Sequence, residues 1–145
     1  MSSLISKIRV KIRLDFKGVE KPGRLLFGGQ SAEKTAEELR EKQVAIFRNV
    51  PIQGITIEDI DMSMEIYTVY DDIDSIELAF APVILSVTAT APEDLIGFIV
   101  RDDFRKIEIL EPDNLQFTKN EMERFLFKVS EEIRLNREQL RRKYS

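Results

Sequence analysis

The 145-residue chain contains no cysteine and no histidine. Without cysteine it cannot provide thiol nucleophiles, zinc ribbons, iron–sulfur ligands or redox switches. Without histidine it lacks the commonest general base and metal ligand, so a nucleophile activated by a histidine partner cannot be assembled. Catalysis would have to use carboxylates, lysine, tyrosine or hydroxyl groups. These absences favour a non-catalytic protein, and the sequence predicts no cofactor.

Long apolar runs are also missing. No stretch reaches the about eighteen apolar residues that a membrane span requires, and the charged N-terminal region is unlike a signal or transit peptide. Hydrophobic residues make up 43% of the chain and charged residues 33%, which is typical of a globular protein. The length suffices for a core without disulfides or metal. We therefore predict one domain over residues 1–145, in the cytoplasm and without membrane association.

The charge is sorted along the chain. Residues 1–24 hold seven Lys or Arg against two acids, and residues 51–113 hold fifteen acids against three bases. Residues 134–145 return to five bases against one acid, and the net charge is −4. Sorting of this kind reports on partners and assembly rather than on chemistry.

Alternation of apolar and polar residues predicts several half-buried strands. Ile55 and Ile57 are out of phase with the strand that follows them, which predicts a bulge near Glu58. The apolar phase of a later strand changes at Pro82, which predicts a second bulge there. The predicted long strands cover residues 6–16, 59–70 and 76–89, and the short ones residues 24–27 and 107–110.

Capping signals predict three helices. Ser31 is the expected N-cap of a helix over residues 32–48, and Thr90 with Glu93 has capping-box spacing before a short apolar helix over 94–100. Thr118 with Glu121 predicts the start of the longest helix, which runs to about residue 143. The predicted apolar stripes are Ala32, Ala36, Leu39, Ile46 and Phe47 on the first helix and Met122, Phe125, Leu126, Val129 and Ile133 on the last.

The order of elements predicts an α+β fold. With the short second strand set aside, the order is βαββαβ followed by the long C-terminal helix, which is the ferredoxin-like pattern. Such a core has an antiparallel sheet with helices on one face. The end of the last helix, residues 133–145, is expected to project from the single domain.

An acidic turn is the candidate metal site, because carboxylate oxygens suit divalent cations. Asp59 lies too far away to join it, since twelve extended residues span roughly 40 Å. The turn also lacks the glycine and terminal glutamate of an EF-hand loop. A carboxylate-dependent metal enzyme is the alternative function that this cluster suggests. The candidate ligands are Asp71, Asp72 and Asp74, with Asp102 and Asp103 as further acids.

A glycine-containing loop before the first helix is a candidate anion site. Gly28, Gly29 and Ser31 join a strand to a helix N-terminus, where backbone N–H groups and the helix dipole favour negative charge. The spacing of a Walker or Rossmann loop is missing, and two glycines before an N-cap are more typical of a tight turn.

Cations on the first strand form a third candidate site. Four of them follow one side of the strand at about 6.7 Å intervals, so a nucleic-acid backbone could lie along them. The outward positions hold no aromatic residue for base stacking. The acidic pI of about 5.1 makes weak nucleic-acid binding, through this strand and the basic end of the C-terminal helix, the less favoured alternative. We expect the cations to pair with acids on neighbouring strands. The cations are Lys7, Arg9, Lys11 and Arg13, and the expected partners are Glu77, Glu108, Glu111, Asp61 and Glu65.

Cations also crowd the end of the last helix, where they complement the helix dipole. These cations are not needed to pack the core. They could contact the acidic middle of another copy or an acidic protein partner. The sequence therefore predicts a non-catalytic interaction domain that forms a homodimer or higher oligomer. The predicted interaction residues are Arg134, Arg137, Arg141, Arg142 and Lys143.

Overall fold

The structure is a computed structural model that describes residues 7–21 and 29–144, with side chains up to Arg142. The predicted short strand over residues 24–27 lies outside the described residues. The elements in chain order are β1 (Ile8–Val19), α1 (Ala32–Asn49), β2 (Ile55–Asp61), β3 (Tyr67–Asp71), β4 (Ile76–Ala89), a 3₁₀ turn (Pro92–Leu95), α2 (Ile96–Ile99), β5 (Phe104–Glu111) and α3 (Lys119–Tyr144).

The five strands form one antiparallel sheet in the order β2-β4-β1-β5. β3 also pairs with β4, so β2 and β3 follow one another along the same edge of that strand. β1 is central and lies between β4 and β5, as the sequence predicted. The chain thus has an α+β fold with a five-stranded antiparallel sheet and a long C-terminal helix.

The core lies on one face of the sheet. Alternate residues of β1 from Ile8 to Phe16 are buried there, together with Val83, Leu85 and Val87 of β4. α1 contributes Val44 and Phe47 to this core, and the 3₁₀ turn and α2 contribute Leu95 and Phe98. The period-2 pattern of β1 is therefore confirmed, and α1 and α2 cover the face that it predicts.

β4 has no bulge at Pro82, so that prediction is wrong. The register with β1 runs unbroken from Ile8↔Ala89 to Val19↔Leu78. The apparent change of phase arises because Ala79 and Ala81 occupy the core-facing positions, where α1 approaches closely. The larger residues between and before them, which suggested the opposite phase, lie on the other face of the sheet.

The edge beside β4 is interrupted where one strand was predicted. The bulge near Glu58 is confirmed by a register shift between Ile57 and Asp59. Pairing with β4 is also interrupted between β2 and β3. The interruption lies opposite Pro82, which has no N–H to donate to a paired strand. Arg40 holds this break, because its Nη1 donates to the carbonyl oxygens of Met64 (3.2 Å) and Pro82 (3.1 Å).

α1 lies directly on β1 at Gly18. A Cβ added at Gly18 would be 2.3 Å from the backbone N of Ala36 and 2.4 Å from the carbonyl O of Ala32. Neither atom can move aside without shifting the helix. Glycine on the strand and alanine on the helix are therefore the residues that this approach requires.

The predicted caps are partly confirmed. Ser31 is the N-cap of α1, where its Oγ accepts from the N–H of Lys34 at 3.1 Å. The stripe on α1 is wrong at Ile46, which is 45% exposed, because Val44 takes the buried position at that turn. The box at Thr90 is also displaced by one residue.

The second helix begins with a 3₁₀ turn rather than with the predicted α-helix. The N–H of Ala91 donates to Asp94 Oδ2 at 3.1 Å, and Pro92 opens the turn. Burial raises the pKa of the Asp94 carboxyl, and the hydrogen bond from Ala91 opposes that rise. The α-helical part is limited to Ile96–Ile99, so the cover over this part of the sheet is short.

Candidate interaction surface

α3 is the longest element, with 26 residues and a length of about 39 Å at 1.5 Å per residue. Its start is the predicted capping box: Thr118 N–H donates to Glu121 Oε1 at 2.8 Å, and Glu121 N–H donates to Thr118 Oγ1 at 3.1 Å. The hydrogen bonds from Thr118 lower the pKa of the Glu121 carboxyl. The start of the helix is thus fixed by its own sequence.

α3 packs on the 3₁₀ turn and on α2 through a largely polar side. Arg124 Nε lies 3.3 Å from Glu93 Oε2 of the 3₁₀ turn. Further along, Glu132, Leu135 and Gln139 line a groove against α2 and the loop that follows it. The helix therefore rests on the domain by mixed contacts and not by an apolar seam.

Ion pairs within the helix add to this polar side. Lys128 Nζ lies 3.1 Å from Glu132 Oε1 and 3.4 Å from Glu131 Oε1. The hydrogen bond to Glu132 is the main reason why the pKa of Lys128 is raised. Glu132 thus already has a cationic partner on its own helix.

The apolar residues of α3 remain in contact with solvent. Among residues 119–142 no side chain is buried, and Leu126 and Ile133 are 58% and 42% exposed. At 3.6 residues per turn, Leu126 and Ile133 lie on average roughly 120° around the helix axis from the residues that line the grooves against the domain, of which Asn136 is among the nearest. We name this surface the α3 stripe, and its members are Met122, Leu126, Val129, Ile133 and Leu140.

The spacing within the α3 stripe is that of a helix that pairs with another helix. Successive members are separated by four, three, four and seven residues, which are the intervals of the a and d positions of a heptad repeat. Asn136 fills the d position that the last interval skips. A stripe with this period and this exposure is a surface suited to a helical partner.

The predicted basic residues lie on the same helix beyond Ile133. Arg134, Arg137 and Arg141 are exposed, and none forms a salt bridge with another described residue. Arg142 is exposed as well, whereas the side chain of Lys143 lies outside the described part of the chain. The structure thus brings the predicted interaction residues next to an apolar stripe that the sequence pattern did not show to be exposed.

Two of the cations predicted to pair with acids on a neighbouring strand lie beside acids of β5. Arg9 Nη1 lies 2.5 Å from Glu111 Oε1, and Lys11 stands opposite Glu108 in the register with β5. Glu77 is not a partner, because it lies beyond the end of the cationic row and pairs with Tyr70 of β3. Lys7 has no salt bridge within the described residues.

On β2, which lies beyond β4, Asp61 has a lowered carboxyl pKa. The principal cause is hydrogen bonding from Ser63, whose backbone N–H donates to Asp61 Oδ1 at 2.8 Å, and the charge of Lys11 adds a smaller effect. The cationic row is therefore balanced in part by acids on both sides of β1.

Arg13 belongs to a polar cluster that the sequence analysis missed. Its partner is Asp15, which is only 1% exposed and is the one charged residue among those described that is buried. Arg13 donates to both carboxylate oxygens at 2.8 and 3.0 Å, and Tyr67 Oη donates at 2.5 Å. Arg105 Nε lies 3.6 Å away. The hydrogen bond to Asp15 raises the pKa of Arg13.

An aromatic side chain completes this cluster. The Tyr67 ring stacks on Phe80 with centroids 5.2 Å apart, and the Arg105 guanidinium lies 5.3 Å from the Phe80 centroid. Burial is the main cause of the raised pKa of Tyr67, and the hydrogen bond to Asp15 adds to it. These groups close the centre of the sheet face that the helices leave uncovered. Only the strand register could have revealed the cluster, because its members come from four strands.

The acidic turn is closed by its own first residue. Asp71 Oδ1 accepts from the N–H of Ile73 at 2.9 Å and from that of Asp74 at 3.3 Å. In the second acidic turn, both oxygens of Asp103 accept from Arg101 at 2.8 and 2.9 Å, whereas Asp102 is exposed. Among the described residues no three acids converge so as to hold a metal ion, and metal binding at Asp71, Asp72 and Asp74 stays a prediction.

The candidate anion loop is only partly described. Gly28 lies outside the described residues, Ser31 Oγ is engaged as the N-cap, and Gln30 exchanges two backbone hydrogen bonds with Lys21 at 2.9 and 3.1 Å. Gly29 precedes this paired segment. Anion binding at this loop also stays a prediction.

Within the described residues, no helix is both long and apolar enough to cross a membrane. Comparison of the chain with protein-family models, with curated proteins and with solved structures gives no match.

Proposed function

We propose that this chain is a non-catalytic protein-interaction domain that self-associates through the α3 stripe. The observation that carries the proposal is a row of five apolar side chains at heptad spacing on a 26-residue helix. Four of them are exposed, and Val129 is half-buried. An amphipathic helix ordinarily buries its apolar side against the core. α3 instead rests on the domain by mixed contacts, and most of the α3 stripe stays exposed to solvent.

The free energy available from burial of this surface is of the same order as the cost of association. Full burial of a Leu, Ile or Met side chain stabilises by about 1.5–3 kcal/mol. A dimer buries the stripe of both copies, so even half of that gain over ten side chains amounts to about 8–15 kcal/mol. Association itself costs on the order of 4–15 kcal/mol, so burial of the stripe can offset this cost but does not by itself fix the affinity of the dimer.

The topology supports a separate role for α3. The strand order β2-β4-β1-β5, with α1 between β1 and β2 and α2 between β4 and β5, is consistent with a ferredoxin-like core. In that topology, α3 follows the last element of the core in the chain and is not part of the core. The cytoplasmic location remains a prediction.

The proposal is tested with two identical substitutions at different places. Ile133→Glu puts a charge in the centre of the stripe, whereas Ile73→Glu changes an isoleucine that is 93% exposed at the tip of a hairpin. The molar mass of each variant is measured by light scattering during size-exclusion chromatography. We expect about twice 16.8 kDa for the unmodified chain and for Ile73→Glu, and 16.8 kDa for Ile133→Glu.

Two results would contradict the proposal. One is an unmodified chain that stays at 16.8 kDa at the highest concentration reached. The other is an Ile133→Glu variant that is folded by circular dichroism and still associates like Ile73→Glu. The second result would show that self-association uses a surface other than the α3 stripe.

A further inference from the structure

We propose that the occupant of the α3 stripe is α3 of a second copy in antiparallel orientation. This inference rests on the proposed function and specifies its partner. Two-fold symmetry is satisfied by parallel and by antiparallel helix pairs alike, so the choice between them depends on what each brings together. Charge distribution along α3 decides it.

The two halves of α3 differ in charge. Residues 119–132 hold three bases and four acids, whereas residues 133–144 hold five bases and one acid. Parallel pairing would bring the two +4 ends side by side, close to the negative ends of both helix dipoles but with strong mutual repulsion. Antiparallel pairing brings each +4 end against the −1 half of the other copy. Electrostatic complementarity therefore favours the antiparallel arrangement.

Of the registers in which a positions meet d positions, one pairs all six of these positions in the two helices. Facing positions are those whose residue numbers sum to 262, so that each a position meets a d position of the other helix. Met122 then faces Leu140, and Val129 faces Ile133. Leu126 faces Asn136, which also borders the groove against α2 and so need not be fully enclosed.

An ion pair beside the seam fits the same register. Glu123 and Arg137 both occupy e positions, and antiparallel pairing places Glu123 of one helix beside Arg137 of the other, twice in the dimer. Neither residue forms a salt bridge with a described residue of its own chain. The parallel alternative would pair Arg137 with Glu132, whose carboxylate already contacts Lys128 at 3.1 Å.

Disulfide trapping tests the orientation, and the absence of native cysteine makes every crosslink unambiguous. Chains carrying Met122→Cys are mixed with chains of different mass carrying Leu140→Cys, and the mixture is oxidised. In the proposed register these two positions face each other. Two copies of residue 122 would be about 27 Å apart along the axis, far beyond the Cα separation of about 7 Å that a disulfide tolerates.

The expected product is the mixed 122–140 disulfide, with little of either symmetric species. Symmetric 122–122 and 140–140 disulfides would overturn the antiparallel inference and leave the proposed function intact. A dimer that forms no disulfide at these positions would overturn the inference too. A chain that remains monomeric would instead refute the proposed function.

Charge exchange provides a second test that does not alter the apolar seam. Glu123→Arg and Arg137→Glu each replace two attractive pairs by like-charge pairs, and each should raise the dimer dissociation constant by about threefold to thirtyfold. The double variant should return to the original value. Glu138→Arg is the matched control, because residue 138 lies on the opposite side of the helix. Combined with Arg137→Glu, it should not restore the original dissociation constant. Failure of the double variant to recover would overturn the proposed register.

Discussion

Asp15 offers the sharpest test of how the sheet face without helices is held together. Its carboxylate accepts from Arg13 Nε and Nη2 and from Tyr67 Oη, and Arg105 is the third cationic or hydroxyl side chain around it. All of these groups are donors. Asp15→Asn would keep the shape of the side chain but replace one acceptor oxygen by an NH₂ group that faces donors.

The expected loss of stability follows from these contacts. A hydrogen bond to a charged group contributes about 1.5–3 kcal/mol, and a donor left without a partner in a buried position adds a desolvation cost. The side chains of Arg13 and Arg105 are 32% and 38% exposed, so water can compensate part of the loss at both. We therefore expect Asp15→Asn to reduce the free energy of unfolding by about 2–4 kcal/mol.

The assay is urea denaturation followed by circular dichroism at one fixed protein concentration, since self-association would add to the apparent stability. A loss of this size lowers the midpoint by about 1–2 M urea. Asp59→Asn, an exposed acid on the same sheet face, is the matched control and should stay within about 0.5 kcal/mol of the unmodified chain. Equal midpoints for Asp15→Asn and Asp59→Asn would refute the reasoning.

Three further predictions concern other parts of the fold. Gly18→Ala should cost at least about 3 kcal/mol, because its Cβ would overlap the backbone of α1, whereas Gly97→Ala, with no atom within 4 Å of the added Cβ, should leave the urea midpoint unchanged or higher. The raised pKa of Tyr67 means that the folded state holds this proton more tightly than the unfolded chain does. The free energy of unfolding should therefore fall as the pH rises above 10.0, the ordinary pKa of tyrosine, and it should fall less steeply in Tyr67→Phe. An identical slope of stability against pH in both proteins would contradict the environment assigned to Tyr67. Addition of Mg²⁺, Mn²⁺ or Ca²⁺ should not change the melting temperature, because Asp71 already closes its own turn and the other two acids do not converge on it. A saturable metal-dependent rise that is lost in Asp74→Asn would instead support the alternative metal site.

Local patterns predicted the elements whose environment is set by their own sequence. The apolar residues of β1 alternate from Ile8 to Phe16, so their burial follows from periodicity alone, whereas that of Asp15 does not. The capping box at Thr118 and Glu121 fixed the start of α3 because both hydrogen bonds are made within one turn. The bulge at Glu58 was visible as a slip between two apolar phases.

The sequence-based predictions failed where the environment of a residue depends on residues that are distant in the chain. The phase of β4 was misread because Ala79 and Ala81 are small, and their burial depends on how closely α1 approaches Gly18. The Asp15 cluster could not be seen because its members meet only through the strand register. The exposure of the α3 stripe could not be predicted either, since periodicity shows that a helix has an apolar side but not whether the domain covers it.

The mass of the unmodified chain in solution tests the central claim most directly. Sedimentation equilibrium over a wide range of protein concentration should show a reversible rise from 16.8 kDa towards twice that value, because four of the five side chains of the α3 stripe are exposed in the single chain. A constant mass of 16.8 kDa across the whole range would contradict the claim that α3 is an interaction surface for a second copy.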